Sequence, residues 1–273
     1  MTVIRVEPTS SAVSVGAGSL AGMELNRTLL AADGELDDTS TVTWVQGAQW
    51  YCDVRRPADF VAPTAGCLAD LDRADLHALA RQQGFAGRLV DGHVAGTRGS
   101  HVVWSHEVDL HPDTPADAGV LELAGPDIVH ERGVHADYLE HWRIVGRGEA
   151  REWQLVDPHT GARGVLVVVG NRFGWARGRA DGFRGALTDA IDAAVSDDDA
   201  RALFDCEVCI GTVRGPAGAA WTVTMSTLPF REGAQLGPLL GESTVTVTDF
   251  DPNGQEVRRN WAVCDSQSTR STP

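Results

Sequence analysis

Four side chains in this sequence have the chemistry of a proton-transfer site: His106, Glu140, Arg177 and Tyr138. A neutral imidazole gives or takes a proton near pH 7. A carboxyl group on an apolar face is pushed toward its neutral form by desolvation unless a cation holds it charged. Arg177 is a candidate for that cation, or for holding a substrate enolate or carboxylate. Tyr138 is a candidate donor to a developing oxyanion. Read as strands, each lies on a face that is otherwise apolar. Trp104, His106, Val108 and Leu110 share one face, Tyr138, Glu140, Trp142 and Ile144 another, and Phe173, Trp175 and Arg177 a third. These faces, with two earlier strands, supply a candidate ligand wall of Trp44, Gln46, Trp50, Trp104, Trp142, Phe173 and Trp175. Aromatic walls with a few convergent polar groups suit a ligand. The same aromatics also suit a solid core, and the same polar groups a satisfied buried network.

A rival set, Tyr51, Asp53 and Arg55, occupies the opposite face of the Trp50 strand and becomes the site if that face is the inner one. His101, His106, His111, His130 and His135 lack metal-ligand spacing, so no metal is expected. His101 and His111 alone would lie ~33 Å apart along one strand. Cys206 and Cys209 match CxxC, but on a strand they face opposite ways and read as packing residues. No nucleophile elbow, dinucleotide fingerprint or phosphate loop is present.

The chain has 273 residues, 42% of them hydrophobic, and a formal charge of −15. It is large enough for one big β domain or two small ones. The acidic balance argues against nucleic acid as a partner. All 23 basic residues are arginine, which removes Schiff-base and P-loop lysine chemistry, and no cofactor is expected. No apolar run approaches the ~20 residues of a membrane-spanning helix, and Met1–Glu7 does not read as a signal peptide. Five scattered cysteines fit reduced thiols and a cytoplasmic setting.

The elements that must position these residues are mostly strands. Thr41–Gln46 and Trp50–Arg55 read as a hairpin, followed by a helix over 66–83. Strands resume at Phe85–Val90, Ser100–His111, Val120–Leu123, Ile128–Glu131 and Tyr138–Val145. Arg151–Val156, Gly164–Val169 and Phe173–Arg179 follow. Phe183, Leu187, Ile191 and Val195 mark a helix over 182–195, and Ser196 caps a third short one. Strands return at Asp205–Val213, Ala219–Thr227, Ser243–Phe250 and Val257–Asp265. About a dozen strands with short turns predict a mainly β protein of antiparallel barrels, in two related halves, with a few short helices. The expected division is a ligand-holding barrel over 1–180, a second β-rich half over 181–265, and a disordered tail over 266–273.

Trp44-Val45-Gln46, Tyr51 to Pro57, Gln82 to Gly87, the Trp104 strand and Glu131 to Trp142 recur in the order and spacing of a known family. Over residues 20–180 the chain resembles the lipocalin-like double β-barrel family that includes the fungal casein-kinase-interacting protein and uncharacterised bacterial relatives. The resemblance implies lipocalin-like barrels and little about chemistry. Its pattern has arginine where this chain has His106. Three functions remain open. One is a bacterial cofactor-independent enzyme of specialised metabolism, an isomerase, cyclase or lyase acting on a small apolar or aromatic metabolite. Another is a carrier of such a molecule, haem included. The last is a protein-interaction module. The His106, Glu140 and Arg177 set favours the enzyme. Oligomeric state is open.

Overall fold

The computed structural model describes residues 13–92, 101–112, 117–215 and 220–264; the tail expected over 266–273 lies outside them. The first sheet contains β1 (Val13–Val15), β2 (Met23–Ala32), β3 (Glu35–Asp37), β4 (Thr41–Gln46), β5 (Trp50–Arg56) and β6 (Gln83–Gly92). It continues through β7 (His101–Trp104), β8 (Val108–Asp109), β9 (Asp117–Gly125), β10 (Ile128–Gly133) and β11 (Tyr138–Arg147). Strands β9-β10-β11-β2-β4-β5-β6-β7 run in that order and β7 pairs back onto β9, closing an eight-stranded antiparallel barrel.

The second sheet holds β12 (Ala150–Val156), β13 (Arg163–Val169), β14 (Arg172–Arg177), β15 (Glu207–Arg214) and β16 (Ala220–Ser226). Its remaining strands are β17 (Leu239–Leu240), β18 (Thr244–Phe250) and β19 (Glu256–Val263). The order is β16-β15-β14-β13-β12-β19-β18-β17, an open half-barrel. Residues 234–236 strap its open side, since Val223 N donates to Ala234 O, Leu236 N to Trp221 O, and Thr248 N to Leu236 O. The protein is therefore mainly β and built in two halves, as expected. The change of sheet falls between Arg147 and Ala150, and residue 180 lies well inside the second half.

Burial on two faces explains the arrangement. Strand β13 is a continuous apolar run, which suits a strand covered on both sides. Its Val165, Val167 and Val169 pack against Val45, Trp50, Cys52 and Val54 of the barrel wall. Its Leu166 and Val168 pack inside the half-barrel with Phe173, Trp175 and Trp261. The two sheets approach so closely that a Cβ on Gly174 would sit 2.5 Å from the Cys52 Cβ.

The helices are shorter than their apolar periodicity suggests. The 66–83 stretch holds one short turn at Leu68–Asp70 and α1 (Arg73–Leu79), begun by a capping box between Asp72 and Asp75. The 182–195 stretch holds α2 (Leu187–Ala193), and Ser196 caps α3 (Asp197–Ala202) as expected. The three pack Leu76, Leu79, Leu187, Ile191 and Ala200 into a separate helical cluster. No helix among the described residues is long and apolar enough to cross a membrane.

Candidate functional site

Inside the barrel the expected aromatic wall is a packed cluster. Trp44 meets Trp142 at 5.4 Å and Trp104 at 6.0 Å between ring centroids, edge to face. All three rings are buried, with Val42, Leu89, Leu121 and Val129 between them. Gln46 is buried too and accepts the Trp44 indole N–H at 3.1 Å. The other expected wall residues lie elsewhere. Trp50 points out of the barrel into the layer between the sheets. Phe173 and Trp175 line the half-barrel. The expected wall thus joins side chains of two sheets, and in Trp50 the outward face of a barrel strand, into one interior.

On β5 the inner face is the rival one. Trp50, Cys52 and Val54 face the second sheet, so Tyr51, Asp53 and Arg55 turn toward the barrel interior. Both faces of β5 are buried, and a strand buried on both sides has no wet face to betray its orientation.

The Trp104 strand is interrupted. Leu89 pairs with Trp104, yet Ala86 pairs with Val108, so Ser105–Glu107 carries one extra residue against β6. Such a bulge flips every later side chain. Val108 consequently packs between the sheets and not beside Trp104. Gly87 stands opposite the bulge, where any Cβ would overlap the Ser105 carbonyl. His106, within the bulge, stacks on Phe85 at 4.5 Å and its Nδ1 lies 2.7 Å from Asp109 Oδ2.

A cavity of about 330 Å³ opens at one end of the barrel, lined by Arg27, Arg55, Asp117, Glu131, Tyr138 and Glu140 among others. Arg55 and Glu131 come from the second halves of β5 and β10, Asp117, Tyr138 and Glu140 from the first residues of β9 and β11, and Arg27 from the middle of β2. Glu140 sits between two guanidiniums, with Oε1 2.7 Å from Arg27 Nη1 and 3.3 Å from Arg55 Nη1. Both arginines are otherwise held, Arg27 by Asp37 at 3.0 Å and Arg55 by Asp53 at 3.0 Å. Glu140 Oε2 is buried and has no hydrogen-bond partner among the described residues, and the side chain is only 3% exposed. Such an oxygen is costly unless something else satisfies it.

Glu131 lies directly across from Glu140 in the β10–β11 ladder. It accepts the Tyr138 hydroxyl at 2.8 Å and the Trp142 indole N–H at 3.1 Å. Burial, then the charges of Glu140 and Asp117, push its carboxyl well above the ordinary carboxylate range. Burial, then the charges of Glu131 and Asp117, push the Tyr138 phenol up as well. The arrangement therefore sets a neutral acid beside a carboxylate with one open oxygen.

Of the four expected catalytic side chains, Glu140 and Tyr138 line this cavity. His106 does not, and is separated from Arg55 by the Phe85 ring that both contact. Arg177 belongs to the other half. It pairs with Asp205 at 2.6 Å and Asp249 at 3.1 Å, beside Glu207 and Arg231. Arg27, Asp117 and Glu131 escaped the sequence reading. Glu131 carried a usable signal, because it alternates with Val129, which is fully buried. The CxxC cysteines divide as packing residues do, Cys206 into the helical cluster and Cys209 into the half-barrel. Among the described residues no three His, Cys, Asp or Glu side chains are placed to hold a metal ion.

No family model and no curated protein matches the chain. Among solved structures it is similar to an uncharacterized yeast protein, YLR301w of Saccharomyces cerevisiae, with a TM-score of 0.50 and 12% identity. The match covers 89% of this chain and 98% of that one. At that identity the likeness concerns the fold alone.

Proposed function

We propose that the first barrel binds a small polar molecule at its charged mouth and performs cofactor-independent proton transfer on it. Glu140 takes a proton from the substrate through Oε2, and Glu131 delivers its own proton elsewhere on the same molecule. Exchange with solvent then resets both groups. An isomerisation or an elimination needs no more than this acid and base. Tyr138 orients Glu131 and Arg27 and Arg55 hold Glu140, so neither group has to reorganise during reaction.

The observation that carries this reading is the unpartnered oxygen of a buried carboxylate in the wall of a cavity, beside a second carboxyl that burial pushes toward its protonated form. A pair of titratable groups driven apart by their surroundings is a common mark of acid–base sites. The packed Trp44, Trp104 and Trp142 support a polar ligand at the mouth over an apolar one deep in the barrel. The closed barrel beside a half-barrel supports membership of the lipocalin-like double-barrel family. Five free cysteines support a reducing, cytoplasmic setting.

The test is a thermal-shift and mass-spectrometric screen of the purified protein against polar metabolites, beginning with anything that copurifies. A ligand present at 100 times its Kd stabilises the fold by about 2.7 kcal/mol. Hits are then incubated in D2O and followed by NMR. Deuterium incorporation or product that depends on Glu140 supports catalysis. A bound but unchanged ligand makes the protein a carrier, and no ligand at all removes the site.

A further inference from the structure

The charges around the cavity are not balanced. Arg27 and Arg55 line it and pair with Glu140 in the lining and with Asp37 and Asp53 behind it, while Asp117 and Glu131 complete the acidic lining. Asp37 and Asp53 each occupy one of the two arginines, and Glu140 Oε1 lies between them. Of the lining carboxyl groups, Asp117 forms no ion pair and Glu140 Oε2 is buried without a hydrogen-bond partner among the described residues. Asp117 Oδ1 lies 3.1 Å from the Tyr138 hydroxyl, whose one proton it shares with Glu131 Oε1 at 2.8 Å, and Asp117 forms no ion pair among the described residues. The two arginines farther out are already paired, Arg56 with Glu232 at 2.6 Å and Arg81 with Asp59 at 2.5 Å. Leu30, Ala32 and Pro57 add apolar wall.

The half-barrel contains a comparable buried cluster that lacks this imbalance. There Arg177, Arg231 and Arg259 meet Asp205, Glu207 and Asp249, three charges of each sign. That cluster is balanced in charge by its own members. The barrel cluster keeps one carboxylate, Asp117, outside any ion pair among the described residues.

We propose that the ligand of the barrel mouth is a small organic ammonium ion, its N–H group donating to Glu140 Oε2 with Asp117 and Glu131 close by. This rests on the reading of the mouth as a ligand site and names its substrate class. A positive charge placed beside Glu131 favours the ionised form of that carboxyl. Loading the cation therefore drives the Glu131 proton into solvent.

The experiment is a calorimetric titration of the full chain with small primary, secondary and quaternary ammonium ions. Matched alcohols and carboxylates, such as butan-1-ol and butyrate beside butylamine, serve as neutral and anionic counterparts. Titrations are repeated in two buffers of different ionisation enthalpy. The expected result is binding of primary or secondary ammonium ions at least tenfold tighter than their counterparts, with net proton release near neutral pH. Quaternary ions, which have no N–H to donate, bind more weakly. Glu131→Gln loses the proton release, and Glu140→Gln weakens binding at least tenfold. Proton release by the unaltered protein stands even if a variant fails to fold. Binding of the alcohols or carboxylates at this mouth in preference to the ammonium ions would overturn the cation and leave the ligand site standing. Failure of all three classes here and in the broad metabolite screen would remove both.

Discussion

Glu131 and Glu140 face each other as paired residues of β10 and β11, and the barrel treats their carboxyl groups in opposite ways. Glu140 is gripped by Arg27 and Arg55. Glu131 has a phenol and an indole as donors and forms no ion pair among the described residues. One strand-to-strand step thus separates a charged carboxylate from a neutral acid.

The neutral state of Glu131 has a signature in stability. Its carboxyl titrates near 4.5 in the unfolded chain and well above that in the fold. Its contribution is fully present below the unfolded value and is lost as pH rises toward the folded one. The slope is at most about 1.4 kcal/mol per pH unit for one proton. Glu131→Gln removes this loss. Denaturant midpoints between about pH 5 and pH 8 should show the variant gaining on the wild type as pH rises. Parallel profiles would mean that Glu131 is ionised throughout.

Arg27 and Glu140 form a buried pair, 7% and 3% exposed. Removing one partner of such a pair leaves an uncompensated charge and costs about 3–5 kcal/mol. Arg27→Ala should fall in that range by chemical denaturation. Adding Glu140→Gln should restore part of the loss, because the carboxylate left with Arg55 alone is gone. Simple additivity of the two changes would show that they do not interact.

His106 serves the barrel wall more directly than the cavity. His106→Ala removes its stack on Phe85 and leaves Asp109 Oδ2 without the imidazole. A loss of about 1–3 kcal/mol is expected, typical for stranding a buried polar partner. Affinity for a ligand at the mouth should be unchanged. A large loss of affinity with stability intact would return His106 to the site.

Gly174 tests the contact between the halves. A methyl group there would press on the Cys52 Cβ at 2.5 Å. Gly174→Ala should destabilise by about 1–3 kcal/mol, the usual cost of overpacking. A neutral effect on the denaturation midpoint would indicate that the sheets are not in close contact at this point.

Much of the fold was legible because alternation and turn residues act locally. The hairpin of β4 and β5, the strands on either side of Asp251–Gly254 and the Ser196 cap all follow from short-range chemistry. What was hidden depended on which faces meet. Strand β5 is buried on both sides, and β7 and β8 are separated by a bulge that only the register with β6 reveals. The site followed the same rule. Glu140 and Tyr138 stood out as polar residues on an apolar face. Arg177 stood out for the same reason, but it satisfies a different core. Periodicity identifies the face of a strand and carries no information about which sheet that face joins.

The most direct test is a calorimetric titration of the strongest ligand from the screen into the wild type and into folded Glu140→Gln. If Oε2 receives the ligand's donor, the variant loses a charge-assisted hydrogen bond worth about 1.5–3 kcal/mol, or roughly ten- to hundredfold in Kd. Equal affinity for the two proteins would contradict the account, because the open oxygen of Glu140 would then have no part in binding.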